Sequence, residues 1–300
     1  NCKRCEIACP EGVKIGDMIQ AARIRYSTHK PSLRDMMLAN TDFVGGLATA
    51  FAPIVNFSLG LGIMKKVLDS AFKIDKHRQF PSYSHEKFES WYKKHEAEQV
   101  KYPHHVSYFH GCYANYNYPQ LGKDFVKVMN AVGYGVNLLE KEKCCGVALI
   151  ANGLYSQAKR QGEININSMR DSVKDNEAVL TTSSTCTFTV RDEYKALLDI
   201  NNDDVREKIS LATRFLYKLV ETGKIKLAFR KDFKKKVAYH TACHMERMGW
   251  AIYSIELLKM IPGLELTVLE SCCCGIAGTY GFKKENYQNS QKIGTLLFKQ

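Results

Sequence analysis

The 300-residue sequence has no initiator methionine, no low-complexity tract and only seven prolines. It opens on a polar, cysteine-containing segment instead of an apolar run, so no secretory leader is readable. The missing methionine predicts a chain cut from something longer. Composition is otherwise that of an ordinary globular protein. With 45% hydrophobic residues there is material for a real core, in two or three domains. Acidic residues are in deficit, 31 against 43 basic ones, for a formal net charge of +12. The basic runs at Lys65-Lys66, Lys93-Lys94 and Arg230 through Lys236 read either as solvated surface or as attraction to anionic lipid or an acidic partner. No recognised nucleic-acid motif accompanies the charge, so nucleic acid is not expected as a partner. No general base, nucleophile or phosphate cradle stands out. The glycine-rich stretch Gly278-Thr279-Tyr280-Gly281 reads as a loop beside a cysteine pair.

Uncharged runs are equally rare. One, of 22 residues from Phe43 to Met64, has the length of a membrane span. Gly45, Gly46, Gly60, Gly62, Pro53 and Asn56 weaken it as a lone helix in lipid. Three readings stay open: a span, a membrane-surface or partner-binding segment, and packing against its own protein. Residues 73 to 105 are charged and rich in His and Tyr, and read as a linker with a surface helix. His77, His85, His95, His104 and His105 within it read as solvated surface.

Residues 15 to 39 read as helical, with Ile15, Met18, Ile19, Ala22 and Ile24 on one apolar face. From Val106 the texture changes. Short β-rich runs at Val106–Phe109, Gly135–Leu139, Ala178–Thr182, Val237–His240 and Glu265–Leu269 alternate with helical patterns at Leu121–Val132, 153–174, Val205–Val220 and Tyr253–Met260. Such alternation predicts α/β architecture with parallel sheets.

Eleven cysteines are the most informative feature. They are grouped, not scattered as in a secreted disulfide scaffold, so a reducing compartment and metal ligation are expected. The grouping is duplicated. His110-Gly111-Cys112 is followed by a helix, a strand and Cys144-Cys145-Gly146. His240-Thr241-Ala242-Cys243 is followed by a helix, a strand and Cys273-Cys274-Gly275. The offsets are 131 and 129 residues. The first module continues to Ser183-Ser184-Thr185-Cys186, whereas the sequence stops at Gln300 before the equivalent place in the second. Domain boundaries are expected at 1–40, 41–105, 106–230 and 231–300.

These cysteines fall just after strand ends, where an α/β sheet gathers loops into one crevice. A structural zinc site favours cysteines two to four residues apart. Two adjacent cysteines plus a third from another loop suit a larger, sulfide-bridged iron cluster better. A disulfide or redox pair is the alternative for Cys144-Cys145. Cys272 has no counterpart in the first module and reads as a spare thiol, and His110, His240 and His244 read as structural or supporting groups. At the amino terminus, Cys2, Cys5, Cys9 and Pro10 match the last three cysteines and the proline of the C-x2-C-x2-C-x3-C-P cluster motif. By that motif's logic Cys2 and Cys5 bind one cluster, while Cys9 completes a second whose other ligands lie upstream.

The segments CKRCEIACPEGVKIGD, FAPIVN, EKCCGVALIANG, TSSTCTF, YHTACHMERMGW and GIAGTYGFKKENY together resemble a family that includes the B subunits of heterodisulfide reductases, the iron–sulfur subunits of glycolate and lactate oxidases, and the C subunits of bacterial anaerobic glycerol-3-phosphate dehydrogenases. The resemblance runs over the whole sequence and is nearest to the last of these. It implies two duplicated cysteine-rich α/β modules preceded by part of a helical ferredoxin-type domain. It further implies 4Fe–4S clusters, two in the ferredoxin-type domain and one or two in the modules. The implied function is electron transfer from flavin-containing dehydrogenase subunits to membrane quinone, on the cytoplasmic face of the inner membrane and in peripheral contact with its anionic surface. Carried over residue by residue, the ligands are Cys2, Cys5, Cys9, Cys112, Cys144, Cys145, Cys186, Cys243, Cys273 and Cys274. Family modules close with Cys-x-x-Cys, and here Ser183 occupies the first closing position, as a weak oxygen ligand or none. A catalytic disulfide reductase and a zinc scaffold are the competing classes.

Overall fold

A computed structural model describes residues 4–7, 9–26, 30–230 and 232–300. Its central feature is a four-stranded parallel sheet of β1 (His104–Tyr108), β2 (Tyr134–Leu138), β3 (Val179–Thr181) and β4 (Ile209–Leu211), in the order β2-β1-β3-β4. Register is continuous, with Val106 opposite Val136, Ser107 opposite Val179 and Val179 opposite Ile209. Alternating side chains feed two cores. Val106, Tyr108, Val136 and Leu180 meet Phe125, Val126 and Met129 of the helix Pro119–Ala131 on one face. Phe109, Val179 and Ile209 meet Ile166 and Met169 of the helix Tyr155–Ser172 on the other. Chain direction across the sheet reverses between β1 and β3, which opens a crevice at the carboxyl ends of these strands.

The architecture is therefore the expected mixed α/β with parallel sheets. Two local expectations are corrected. The pattern at Val205–Val220 is not one helix. Ile209–Leu211 forms the fourth strand, and the helix starts at Ala212. The helical stretch at 15–39 is two helices, Ile15–Tyr26 and Leu33–Ala39. The second begins at Ser32, whose hydroxyl accepts the Asp35 N–H while the Asp35 carboxylate accepts the Ser32 N–H. Along the first helix the apolar face stays outside, with Ile15, Met18, Ile19 and Ile24 exposed, while Gln20 is buried. Residues 88–99 lie on the surface, as expected, but one face is anchored. Phe88 and Tyr92 on the helix Phe88–Lys93 are fully buried under the sheet, and Gln99 accepts the Val136 N–H with its side chain.

The second sheet pairs β5 (Lys235–Tyr239) with β6 (Leu264–Val268), parallel and joined through the helix Ala251–Lys259. Its strands are partly buried or exposed throughout. The connecting helix leans on the helix Ala212–Glu221 of the first sheet, where the Ser254 hydroxyl bonds Thr213 and Tyr253 meets Tyr217. Trp250 is covered by the guanidinium groups of Arg214 and Arg191.

The uncharged run becomes parts of three short helices, Thr41–Ala50, Ala52–Gly60 and Gly62–Ala71. Among the described residues no single helix is long and apolar enough to cross a membrane. The first two helices qualify by composition only as a pair, bent by 103°. Two residues that argue against a lone helix in lipid make contacts here. Gly45 lies so close to the Tyr116 ring that a Cβ would overlap it. Asn56 exchanges two hydrogen bonds of 2.9 Å with the Tyr83 backbone. The outer face of the segment is uncovered, with Phe43, Leu47, Phe51, Ile54, Phe57 and Ile63 each more than half exposed.

Candidate cysteine-cluster site

Three loops at the carboxyl ends of β1, β2 and β3 bring Cys112, Cys144, Cys145 and Cys186 around one cavity of about 350 Å³. Cys144, Cys145 and Cys186 are buried and Cys112 is half-buried. The Cys112 and Cys144 sulfurs stand 3.8 Å apart. Cys145 and Cys186 line the same cavity. Interaction among the thiols splits them: Cys112 and Cys145 stabilise the Cys144 thiolate and hold it well below its ordinary pKa against the effect of burial, while Cys112 and Cys145 are raised by Cys144 first and by burial after it. No disulfide joins any of the ten described cysteines. Among the described residues no three or more His, Cys, Asp or Glu side chains form a site for a single metal ion.

Local chemistry explains how the loops reach this place. Gly146, directly after the cysteine pair, has φ +82°, a left-handed conformation that side chains disfavour, and it turns the chain into the helix Val147–Ala151. Gly275 repeats the device in the second module with φ +78°, and a Cβ there would overlap the Ser290 carbonyl. The Asn165 side chain accepts the Lys143 N–H at 2.8 Å and donates to the Lys143 carbonyl at 3.1 Å, which pins the strand-to-cysteine turn.

A buried carboxylate ties the first and second loops. Glu142 accepts the Gly111 N–H at 2.7 Å and the His110 N–H at 3.2 Å, and pairs with His110 Nδ1 at 3.1 Å. Glu89 meets His110 Nε2 from the other side at 3.3 Å. Burial alone would lower the His110 pKa, but the Glu142 and Glu89 carboxylates outweigh it and hold it at about 9. Burial also pushes Glu142 up to about 7, against the pull of His110. His110 is thus a supporting group behind the Cys112 loop. The Asp42 carboxylate, 102 residues upstream, accepts the Cys144 N–H at 2.7 Å, and burial raises its pKa to about 6. Asp42, Glu89, Glu142 and Asn165 were not singled out from the sequence. Only Glu142, two residues before the pair in Glu-Lys-Cys-Cys-Gly, carried a local signal.

Ser183 borders the cavity, but its hydroxyl oxygen accepts the Cys186 N–H at 3.2 Å and caps the helix Ser184–Phe188. A capping role therefore accounts for a serine at this position.

Cys243, Cys273 and Cys274 line a second cavity of about 410 Å³ together with His240 and His244. The Cys273 sulfur accepts the Gly275 N–H at 3.4 Å, and His240 Nε2 lies 2.9 Å from the Cys272 carbonyl oxygen. The helix Cys243–Met248 packs against the helix that carries Cys186. The His244 ring stacks on Phe188 with centroids 4.9 Å apart, and its Nδ1 is 3.1 Å from the Thr185 hydroxyl. Thr41, Val147, Ala148 and Thr185 border both cavities, so the two cysteine sites share a wall. Cys272 stays apart, in contact with Gln300.

At the amino terminus Cys2 lies outside the described residues. Cys5 is exposed on the helix Arg4–Ile7, and Cys9 is half-buried before the turn at Gly12. Glu6 between them is buried. It accepts the Asp17 N–H and pairs with Arg247 at 2.8 Å, which joins this segment to the second module.

Residues 106–191 and 237–300 match the family model of the Cysteine-rich domain. The two stretches contain the paired cysteines of the two cavities. The chain is 55% identical over 292 residues to the C subunit of the anaerobic glycerol-3-phosphate dehydrogenase of Escherichia coli (strain K12), covering 97% of this chain and 73% of the relative. It is equally similar to the C subunit of the same enzyme from Escherichia coli O157:H7. It is 29% identical over 185 residues to "Lactate utilization protein A 1" of Bacillus anthracis, covering 59% of this chain and 74% of that protein. No solved structure matches. The chain belongs to the cysteine-rich domain family and, within it, to the group of the anaerobic glycerol-3-phosphate dehydrogenase C subunits.

Proposed function

We propose that this chain is the iron–sulfur electron-transfer subunit of an anaerobic glycerol-3-phosphate dehydrogenase. The observation that carries the reading is the convergence of four cysteines, three of them buried, from three loops on one cavity. Soft thiolates around a space far larger than one ion fit a polynuclear iron–sulfur group. Such a group, when bound, supplies one-electron transfer. The protein's part is to hold and shield it. Cys112, Cys144, Cys145 and Cys186 would be its ligands in the first module, with Cys243, Cys273 and Cys274 in the second and Cys2, Cys5 and Cys9 in a ferredoxin-type segment. Glu142, Asn165, Asp42 and the left-handed Gly146 fix the positions of the thiols, and the apolar core beneath keeps water from them. In this reading the subunit is a conduit, and the oxidation chemistry resides in flavin-containing partner subunits; the 55% identity to a dehydrogenase C subunit supports it.

The acceptor in this reading is membrane quinone, and attachment is peripheral on the cytoplasmic face. The support is the uncovered apolar face of the helices within 41–71, next to Lys65 and Lys66. Such a face enters the lipid interface while lysines meet anionic headgroups. Iron and acid-labile sulfide analysis with low-temperature EPR on anaerobically purified full-length protein tests the central assignment. A colourless protein with stoichiometric zinc would overturn it.

A further inference from the structure

Thr41 lies outside both stretches that match the cysteine-rich domain, yet it borders both cysteine cavities. It opens the helix Thr41–Ala50, whose outer face carries the exposed Phe43 and Leu47. Its hydroxyl oxygen is buried and without a fully formed hydrogen bond among the described residues. It shares the lining of one cavity with Cys112 and Cys144, whose sulfurs stand 3.8 Å apart. The helix is held in place on two sides. Asp42 accepts the Cys144 N–H at 2.7 Å, and Gly45 lets the next turn press on Tyr116.

A hydroxyl has one hydrogen to donate, and a buried one left unpaired is costly. The cysteine sulfurs that line the same cavity are the soft acceptors nearest to hand once they carry negative charge. We infer that Thr41 donates its hydroxyl hydrogen to the Cys112 or Cys144 sulfur and thereby sets how readily the first module's cluster accepts an electron. The inference rests on the cluster reading above and adds a tuning residue from the apolar segment. Hydrogen bonds to cluster sulfurs are one of the levers on reduction potential. Donation to sulfur favours the reduced, more negative state, so losing it makes reduction harder. The tuning group then stands between the cysteine site and the face proposed to meet the membrane.

The test is an EPR-monitored redox titration of full-length, anaerobically purified Thr41→Val and Thr41→Ser. The first-module signal is assigned by its loss in Cys145→Ser. Thr41→Val is expected to make reduction of that signal harder by on the order of tenfold, which is about 59 mV for one electron. Thr41→Ser, which keeps the hydroxyl, is expected to retain the wild-type midpoint, and the other signals should not move. Resonance Raman of the wild type in heavy water should show an exchange-sensitive iron–cysteinyl stretch that Thr41→Val lacks. An unchanged midpoint in Thr41→Val with an intact signal overturns the inference and leaves the cluster reading standing. If Thr41→Val fails to assemble, the wild-type Raman spectrum decides, and absence of an exchange-sensitive band overturns it. Wild-type protein without iron and sulfide would overturn the cluster reading and this inference with it.

Discussion

Replacing Glu142 by Gln tests whether the Cys112 loop is held by a buried ion pair. The carboxylate makes three contacts, accepting the Gly111 and His110 N–H groups and pairing with the His110 ring. Gln keeps one carbonyl oxygen and turns an NH2 group toward the second N–H. One buried backbone donor is then left unsatisfied, which costs about 1–3 kcal/mol. Loss of the carboxylate also breaks a pair whose partners are both about 95% buried, and breaking such pairs typically costs about 3–5 kcal/mol. The two figures overlap in origin, so about 3 kcal/mol is expected in denaturant unfolding. The pH dependence gives a second readout. In the folded protein His110 is held at about 9, above its ordinary 6.5. The stability it supplies is therefore complete below 6.5 and is lost as pH rises through 9. Without Glu142 the imidazolium loses its strongest support, and that alkaline loss should shrink. Cluster content of the first module should fall in parallel, because Gly111 precedes Cys112. A Glu142→Gln protein within 1 kcal/mol of wild type, with an unchanged alkaline limb, would refute the clamp.

Cys144→Ser or Cys145→Ser should remove one cluster signal and spare the ferredoxin-type signals, as read by EPR; uniform loss of every signal in folded protein would argue against separate sites. Gly275→Ala should destabilise the second module by several kcal/mol, because it combines a left-handed backbone with overlap on the Ser290 carbonyl, on the scale of overpacking, about 1–3 kcal/mol, plus strain, about 1–3 kcal/mol. Gly278→Ala, with φ +65° and open space around it, should cost less in the same thermal melt. Polar replacement of Phe51, Ile54 and Phe57 together should weaken sedimentation with anionic vesicles. Since these side chains are more than half exposed, stability should change little. Unchanged binding to both vesicles and partner subunits would leave that face without a docking role.

The gathering of the cysteines was legible because it is carried by spacing. A duplicated Cys…Cys-Cys-Gly pattern needs no long-range knowledge, and its glycines are where both modules turn left-handed, at Gly146 and Gly275. The strand-helix alternation was legible for the same reason. What escaped depends on partners distant in sequence. Asp42 marked only the end of an uncharged run, and its bond to Cys144 spans 102 residues. Phe88 and Tyr92 sit among charged neighbours that mask two fully buried aromatics. A strand as short as Ile209–Leu211 is too brief for a period to show, and the apolar helix after it absorbed it. The spacing of Ile15, Met18 and Ile19 gave the helix but not its orientation: the stripe is exposed, and described contacts of that helix run through Gln20 and Asp17. Ser183 stands where the resemblance expects a cysteine, and only the helix cap at Cys186 explains what the hydroxyl does there.

The most direct test of the account is the metal content of full-length protein purified without oxygen. The convergence of Cys112, Cys144, Cys145 and Cys186 on one cavity, repeated by Cys243, Cys273 and Cys274, predicts a brown protein. It should contain iron and acid-labile sulfide in equal amounts, with reducible EPR signals of which one disappears in Cys145→Ser. Stoichiometric zinc in a colourless, folded preparation would contradict it.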